Sequence, residues 1–373
     1  VDLETILAQI GNRKEKKTGA ISFPVTFSTA YLHPGLGEST GFDYIRTKNP
    51  TRVVLEEAIA EIEGGDQGFA FSSGMAAIQI LFGLFKPGDH IIATHDLYGG
   101  SYRLFEQVWR RFGITCSYHD IRDGADLRDH LRPETAAVFI ETPSNPMMIT
   151  VDTESIAAVA KEHGALTIVD NTFLTPYYQR PIEQGADIVL HSATKYLGGH
   201  NDVLAGLVVT KGKELSEEMA FQQNTSGAVL SPMDSWLLIR GMKTLSLRME
   251  KHTENAKQLV SFLEGHSFVE DVLYAGVGGM ISFRVKDAAM VAPILKNLKL
   301  ISFAESLGGV ESLMTYPAVQ THADIPEEIR QRVGVCDRLL RISTGIESAH
   351  DLQQDLEQAL QAASHVLKQA SVE

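Results

Sequence analysis

The sequence predicts an α/β protein: a mostly parallel central sheet with helices on both faces, then a smaller C-terminal α+β unit. Three observations support this. From Thr51 onward, short apolar runs bounded by turn residues alternate with amphipathic helical stretches, and right-handed crossovers turn that order into a parallel sheet. Beyond residue 240 the style changes, with strands at 280–285, 302–303 and 339–343 interleaved with helices at 288–298 and 349–367. Residues 1–50 show no sustained period. Three regions follow: an extended N-terminal arm (1–50), an α/β domain (51–240) and an α+β domain (241–373).

In chain order, Leu3, Ile6, Leu7 and Ile10 have the spacing of one short helix, after which Gly, Pro, Ser and Thr dominate the arm. A segment this long without structure is unusual inside a compact domain. Its aromatics (Phe23, Phe27, Tyr31, Phe42, Tyr44) suggest that it lies across another surface, with a neighbouring subunit as the natural candidate. A helix over 53–63 is stopped by Gly64-Gly65, and 69–71 is a strand. An apolar helix runs to Phe85, and Lys86-Pro-Gly-Asp89 is a turn. Further strands are expected at 90–94, 114–118, 137–142, 166–170, 188–190 and 204–210, and helices at 102–112 and 153–163. The helical stretch 232–263 breaks near Gly241.

The formal net charge of -14 argues against nucleic acid or an anionic membrane as the main partner. An anionic ligand would need local donors. The two cysteines, Cys116 and Cys336, sit among apolar residues, as reduced thiols of a cytosolic protein do. The 13 histidines never fall into His-Glu-x-x-His spacing. There is no charged leader followed by an apolar run, and no apolar run long enough to span a bilayer. These readings point to a cytoplasmic protein without a metal.

Three places carry chemistry, each with a plainer reading beside it. The strand 188–190 runs into Ser192, Thr194 and Lys195, then Gly198-Gly199. Lys195 is therefore either a reactive amine at a strand end or a solvated lysine in a turn. Ser72-Ser73-Gly74-Met75 joins a strand to a helix, which makes either an anion site or an ordinary N-cap. Asp170 ends a buried strand, as a cap or as a charge with a partner. Strand ends are where open parallel sheets bind ligands. One ligand would use all three places: pyridoxal phosphate. Its aldehyde needs a lysine, its ring nitrogen a carboxylate, and its phosphate hydroxyls and a helix start.

At this point the chain resembles the Cys/Met-metabolism group of pyridoxal-phosphate enzymes, those of transsulfuration, and most closely the γ-synthases and O-acetylhomoserine sulfhydrylases among them. The motifs are Tyr44-Ile-Arg46, Asn49-Pro-Thr-Arg52, Ser72-Ser-Gly-Met75, Asp96-Leu-Tyr-Gly-Gly100 and Glu141-Thr-Pro-Ser-Asn-Pro146. They continue with Val169-Asp-Asn-Thr172, Ser192-Ala-Thr-Lys-Tyr196, Glu305-Ser-Leu-Gly-Gly309 and Arg338-Leu-Leu-Arg-Ile-Ser343. The resemblance implies the fold-type I transferase architecture and pyridoxal 5′-phosphate held by Lys195. Asp170 would pair with the ring nitrogen and Tyr98 would stack on the ring. Ser73, Gly74, Met75, Ser192 and Thr194 would hold the phosphate, helped by Tyr44 and Arg46 of a neighbouring subunit. Arg341, Asn145 and the backbone at Ser306 would hold the substrate α-carboxylate.

Acidic residues at Asp43 and Glu305 fit γ-chemistry, where bacterial β-lyases of the family tend to carry aromatics. Gly100 stands where methionine γ-lyases usually carry cysteine. The implied activity is γ-replacement on an O-acylhomoserine by cysteine or sulfide, in methionine biosynthesis. A cystathionine β- or γ-lyase is the alternative, and a non-catalytic regulatory relative a remote one. A homo-oligomer, at least a dimer and expected to be a dimer of dimers, is implied as well.

Overall fold

The computed structural model describes residues 1–370, with side chains to 364. Its larger sheet comprises β1 (Gln67–Phe71), β2 (His90–Thr94), β3 (Thr115–His119), β4 (Thr135–Glu141), β5 (Leu166–Asp170), β6 (Ile188–Ser192) and β7 (Gly206–Thr210). The spatial order is β1-β7-β6-β5-β4-β2-β3. β7 pairs antiparallel with both of its neighbours, and the remaining pairs are parallel. Both faces are covered. Ile92, Val138, Ile140, Val169 and Val189 enter one core, whereas Ile91, Phe139, Ile168, Ile188 and Leu190 enter the other. Side chains alternate with period two, so near-continuous apolar strands fill two cores at once.

The second sheet holds β8 (Val269–Leu273), β9 (Met280–Val285), β10 (Ser302–Phe303), β11 (Leu313–Thr315) and β12 (Leu339–Ser343), in the order β10-β11-β12-β9-β8. Helix Leu245–Glu264 joins the two parts. Leu245 and Met249 belong to the core of the large sheet, and Leu259 and Leu263 to that of the small one. The break before it lies between helix Pro232–Met242 and Leu245.

Several boundaries differ from the sequence reading. The helix expected over 102–112 begins at Gly99, ends at Gln107 and continues as a short 3₁₀ turn, Trp109–Phe112. Its start moves earlier because a glutamate from a distant strand takes the Tyr98 N–H, as described below. Helix Lys213–Ser226, β8 and β11 are additions.

The arm is fastened at both ends. Helix Leu3–Ala8 buries Leu7 completely, and Ile10 is 5% exposed in the same core. At the other end Asn49 caps helix Pro50–Glu63, accepting from the N–H groups of Thr51 and Arg52 at 3.0 and 3.1 Å. Pro50 suits the first helical turn, and Gly64 ends the helix in the left-handed region at φ 77°. The buried Arg52 guanidinium donates to the carbonyls of Ile45, Arg46 and Thr47, each at 3.0 Å. It thereby holds the turn that carries Tyr44 and Arg46.

Candidate active site

Parallel pairing brings the carboxyl ends of β4, β5 and β6 to one edge, with Glu141 directly opposite Asp170. There a cavity of about 270 Å³ opens. It is lined by Ser73, Gly74, Met75, Tyr98, Asn145, Asp170, Ser192, Thr194, Lys195, Glu305, Ser306 and Arg341, together with Glu141, Thr172 and Thr321. Residues from seven separate sequence motifs thus face one space.

At one end, β1 runs into helix Gly74–Ile80, capped by Ser73 Oγ, which accepts from the Ala76 N–H at 3.0 Å. The first amides of a helix have no helical partner, and the dipole favours an anion there. Gly74 packs directly on Ser192. A Cβ at position 74 would sit 3.0 Å from the Ser192 Cβ, so glycine lets the helix start and the β6 end share one anion-sized space. The N-cap and anion-site readings of Ser73 are therefore compatible.

Asp170 is held by Thr172, whose hydroxyl donates to Oδ1 at 2.5 Å and whose N–H donates to the same oxygen at 3.1 Å. The same hydroxyl accepts the Ser192 N–H at 2.9 Å. One side chain thus ties the carboxylate to the Ser192 end of the cavity. Burial raises the pKa of Asp170, opposed by the Thr172 bonds and by His191. Burial and then the Asp170 charge push Glu141 well above the carboxylate range. Two adjacent buried carboxyls do not both ionise readily. Both accept backbone N–H groups, but only Asp170 also accepts a hydroxyl, at 2.5 Å, and feels His191, so the charge is favoured on Asp170 and the proton on Glu141. Glu141 Oε2 accepts the Tyr98 N–H at 2.9 Å, which fixes the residue whose ring faces the cavity. Gly100 matters here, because a Cβ at that position would lie 2.4 Å from Tyr98 Cε1.

Lys195 Nζ donates to Ser306 Oγ at 3.1 Å. Its pKa falls to about 8, chiefly through burial and then through the Arg341 charge, with Glu305 opposing. A neutral, nucleophilic amine is thereby available near neutral pH. Ser306 itself sits at φ 117°, a costly conformation for a residue with a side chain. It is held there by its neighbours. The Gly308 N–H donates to Ser343 Oγ at 2.8 Å, and the Ser306 carbonyl accepts from Arg341 at 3.2 Å.

Arg341 is 1% exposed. Its guanidinium donates to Asn145 Oδ1 at 2.7 Å, to the Ser306 carbonyl and to Thr315 Oγ1 at 3.1 Å. These partners are all neutral oxygens, so none of these contacts neutralises the buried cation, whose geometry and charge would suit a carboxylate. Burial lowers its pKa to about 10, which leaves it charged at working pH.

Three expected site residues lie elsewhere on this chain. Asp43 accepts from Ser39 Oγ at 2.5 Å, and Arg46 donates to Asn224 Oδ1 at 2.9 Å with its guanidinium 5.7 Å from the Tyr44 ring centre. None of the three lines this chain's own cavity. Tyr44 is half-exposed on the fastened arm. Sequence reading did not single out Glu141, Thr172 and Thr321. The first two stand inside quoted motifs, but their side-chain direction depended on register.

The donor set fits pyridoxal phosphate: an amine with a lowered pKa, a charged carboxylate on a buried strand end, a ring that can stack, and a helix start opened by glycine. Fold and site together define a pyridoxal-phosphate-dependent enzyme. The chain belongs to the Cys/Met metabolism PLP-dependent enzyme family, whose pattern matches residues 4–361. It is 63% identical over 358 residues to the cystathionine gamma-synthase/O-acetylhomoserine (thiol)-lyase of Bacillus subtilis, covering 96% of each chain. It is 56% identical to the cystathionine gamma-synthase of Haemophilus influenzae, covering 96% of this chain and 97% of that one. Among solved structures, the cystathionine gamma-lyase of Lactobacillus plantarum complexed with L-serine superposes with a TM-score of 0.95 at 42% identity, covering 98% of this chain and 100% of that one.

Proposed function

We propose that the protein catalyses γ-replacement on an O-acylhomoserine, exchanging the acyloxy group for the sulfur of cysteine, to give cystathionine, or of sulfide, to give homocysteine. The observation that carries this reading is Glu305 at the cavity wall, near enough for its charge to act on both Lys195 and the buried Arg341. Arg341 supports binding of the α-carboxylate, and an acidic wall favours the ammonium end of a second amino acid. The names of the two relatives with higher identity agree with it.

Pyridoxal phosphate, when bound, supplies a ring that withdraws electrons from the carbons next to the substrate amine. Asp170 offers a negative charge where the ring nitrogen would lie and so favours a proton there. Tyr98 covers one face. The helix start at Gly74 with Ser192 and Thr194 suits the phosphate. Arg341 and Asn145 orient the substrate by its carboxylate. Lys195 Nζ then takes and returns the protons of the α- and β-carbons, as its lowered pKa allows. The reaction balances as O-acylhomoserine plus cysteine giving cystathionine plus a carboxylic acid, or plus hydrogen sulfide giving homocysteine plus a carboxylic acid.

Incubating the holoenzyme with O-acetyl- or O-succinylhomoserine and cysteine should yield cystathionine. If none forms and cystathionine is instead cleaved to pyruvate and ammonia, the assignment moves to a β-lyase. The likeness to a solved γ-lyase supports C–S cleavage as the second reading.

We further assign an oligomer, at least a dimer and best read as a dimer of dimers, in which the partner subunit's Tyr44 and Arg46 complete the phosphate site and Asp43 contributes to substrate choice. The fastened arm and the half-exposed Tyr44 support this. Mixing inactive K195A with inactive R46A should restore activity through hybrid sites, and no recovery after subunit exchange would refute sharing. We place the protein in the cytosol, in keeping with its two unpaired cysteines. Among the described residues, no helix is long and apolar enough to cross a membrane.

A further inference from the structure

Asn145 Oδ1 accepts from the guanidinium that faces the cavity, so the aim of that guanidinium depends on where the Asn145 main chain is held. Asp96, from the loop after β2, supplies much of that hold. Its Oδ2 accepts from Ser144 Oγ at 2.5 Å and from the Met147 N–H at 3.0 Å, gripping the turn on both sides of Asn145. From a different part of the chain, His322 Nε2 donates to the Asn145 carbonyl at 2.9 Å, and its Nδ1 pairs with Thr321 Oγ1 at 2.8 Å. A carbonyl only accepts, so the Nε2–H tautomer is required, and Nδ1 is left to accept the threonine hydroxyl. Asp96, Ser144, Asn145 and His322 are all at most 4% exposed.

A buried carboxylate without a cation costs several kcal/mol of desolvation as an order of magnitude. Among the described residues Asp96 has no cation in ion-pair contact, Arg122 acting only from a distance, and its hydrogen-bond donors are Ser144 and Met147. Asp96 also lies two residues before Tyr98, and Gly99 abuts the Thr321 carbonyl so closely that a Cβ there would sit 2.4 Å from it. The two residues therefore join the Tyr98 loop to the Asn145 turn without lining the main cavity themselves.

We propose that Asp96 and His322 are positioning residues of the carboxylate clamp: by fixing the 144–147 turn they set the angle at which Arg341 meets a substrate carboxylate. The inference rests on the reading of Arg341 as that clamp and is independent of which sulfur chemistry follows. Misplacement by about 1 Å in such an array costs up to about a hundredfold.

The test titrates the holoenzyme with glycine and with methylamine, following the cofactor absorbance band; only glycine carries a carboxylate. D96A and H322F should weaken glycine about tenfold and leave methylamine within about twofold. D96N keeps an acceptor of the same shape and should restore glycine binding. S144A removes one of the two gripping bonds without emptying the Asp96 site, and should shift the glycine to methylamine ratio in the same direction if D96A fails to fold. An unchanged ratio in D96A, or in S144A where D96A does not fold, overturns the proposal, as does a D96N no better than D96A. R341A separates the two levels: if it collapses the ratio while D96A does not, only the positioning role falls. If R341A also leaves the ratio unchanged, the clamp reading falls with it.

Discussion

Thr172→Val tests whether the Asp170 charge is built by its neighbours or merely tolerated. Valine keeps the shape of threonine and removes only the hydroxyl. Two bonds vanish: the 2.5 Å donation to Asp170 and the 2.9 Å acceptance from the Ser192 N–H. A hydrogen bond to a charged group contributes about 1.5–3 kcal/mol, and a buried N–H left without a partner costs about 1–3 kcal/mol. The first loss raises the Asp170 pKa further, because burial already pushes it up and the Thr172 bonds oppose that. The second loosens the strand end proposed to hold the cofactor phosphate. If about half of the combined loss falls on cofactor binding, affinity drops about 10- to 100-fold, at about 1.4 kcal/mol per tenfold. Titrating apoenzyme with pyridoxal phosphate and reading the visible band measures this directly. Thr172→Ser should recover most of the loss. Wild-type affinity in Thr172→Val would refute the argument that Thr172 sustains the Asp170 charge.

Other perturbations probe the remaining parts of the site. Arg341→Lys replaces a planar fork with a point charge that cannot serve Asn145, Ser306 and Thr315 together; KM for the amino-acid substrate should rise about a hundredfold with the cofactor band unchanged. Gly100→Ala forces the Tyr98 ring to rotate away from the added Cβ, and kcat should fall at least about tenfold while circular dichroism stays that of wild type. In the apoenzyme, Lys195 has a folded pKa of about 8 against an ordinary 10.5, so between these values the unfolded chain binds the extra proton and stability rises with pH. Denaturant unfolding should show wild-type apoenzyme gaining on Lys195→Met across that interval; a pH-independent difference would contradict the burial argument. Arg52→Ala removes three bonds to the arm turn, and should speed proteolysis near Tyr44 without changing the spectrum of the core.

Much of the fold was legible in the chain because its strands are buried on both faces. Leu166–Asp170 and His90–Thr94 are short apolar runs between turn residues, and they fold with the bounds read from sequence. Helix Lys213–Ser226 was not legible, because its buried positions include Ser216 and Gln223. The Gln223 amide donates to Glu56 and to the Ala70 carbonyl, so hydrogen bonding does there what apolar periodicity does elsewhere. β8 is an edge strand carrying Glu270 and Asp271, and β11 spans three residues. Neither leaves a period to detect.

The chemistry divides in the same way. The sequence by itself determined that a lysine, an aspartate and a Ser-Gly helix start each follow or end a strand of an α/β sheet, because residue type and strand punctuation are local properties. Tertiary structure alone decided that Glu141 stands opposite Asp170 and stays neutral, since strand register sets which side chains meet. It also decided that Thr172 bridges Asp170 and Ser192, and that Arg341 from the second sheet reaches the cavity of the first. Charge state, desolvation and bond geometry depend on what surrounds a group in space, and residues 196 positions apart, such as Asn145 and Arg341, become neighbours only when the chain folds.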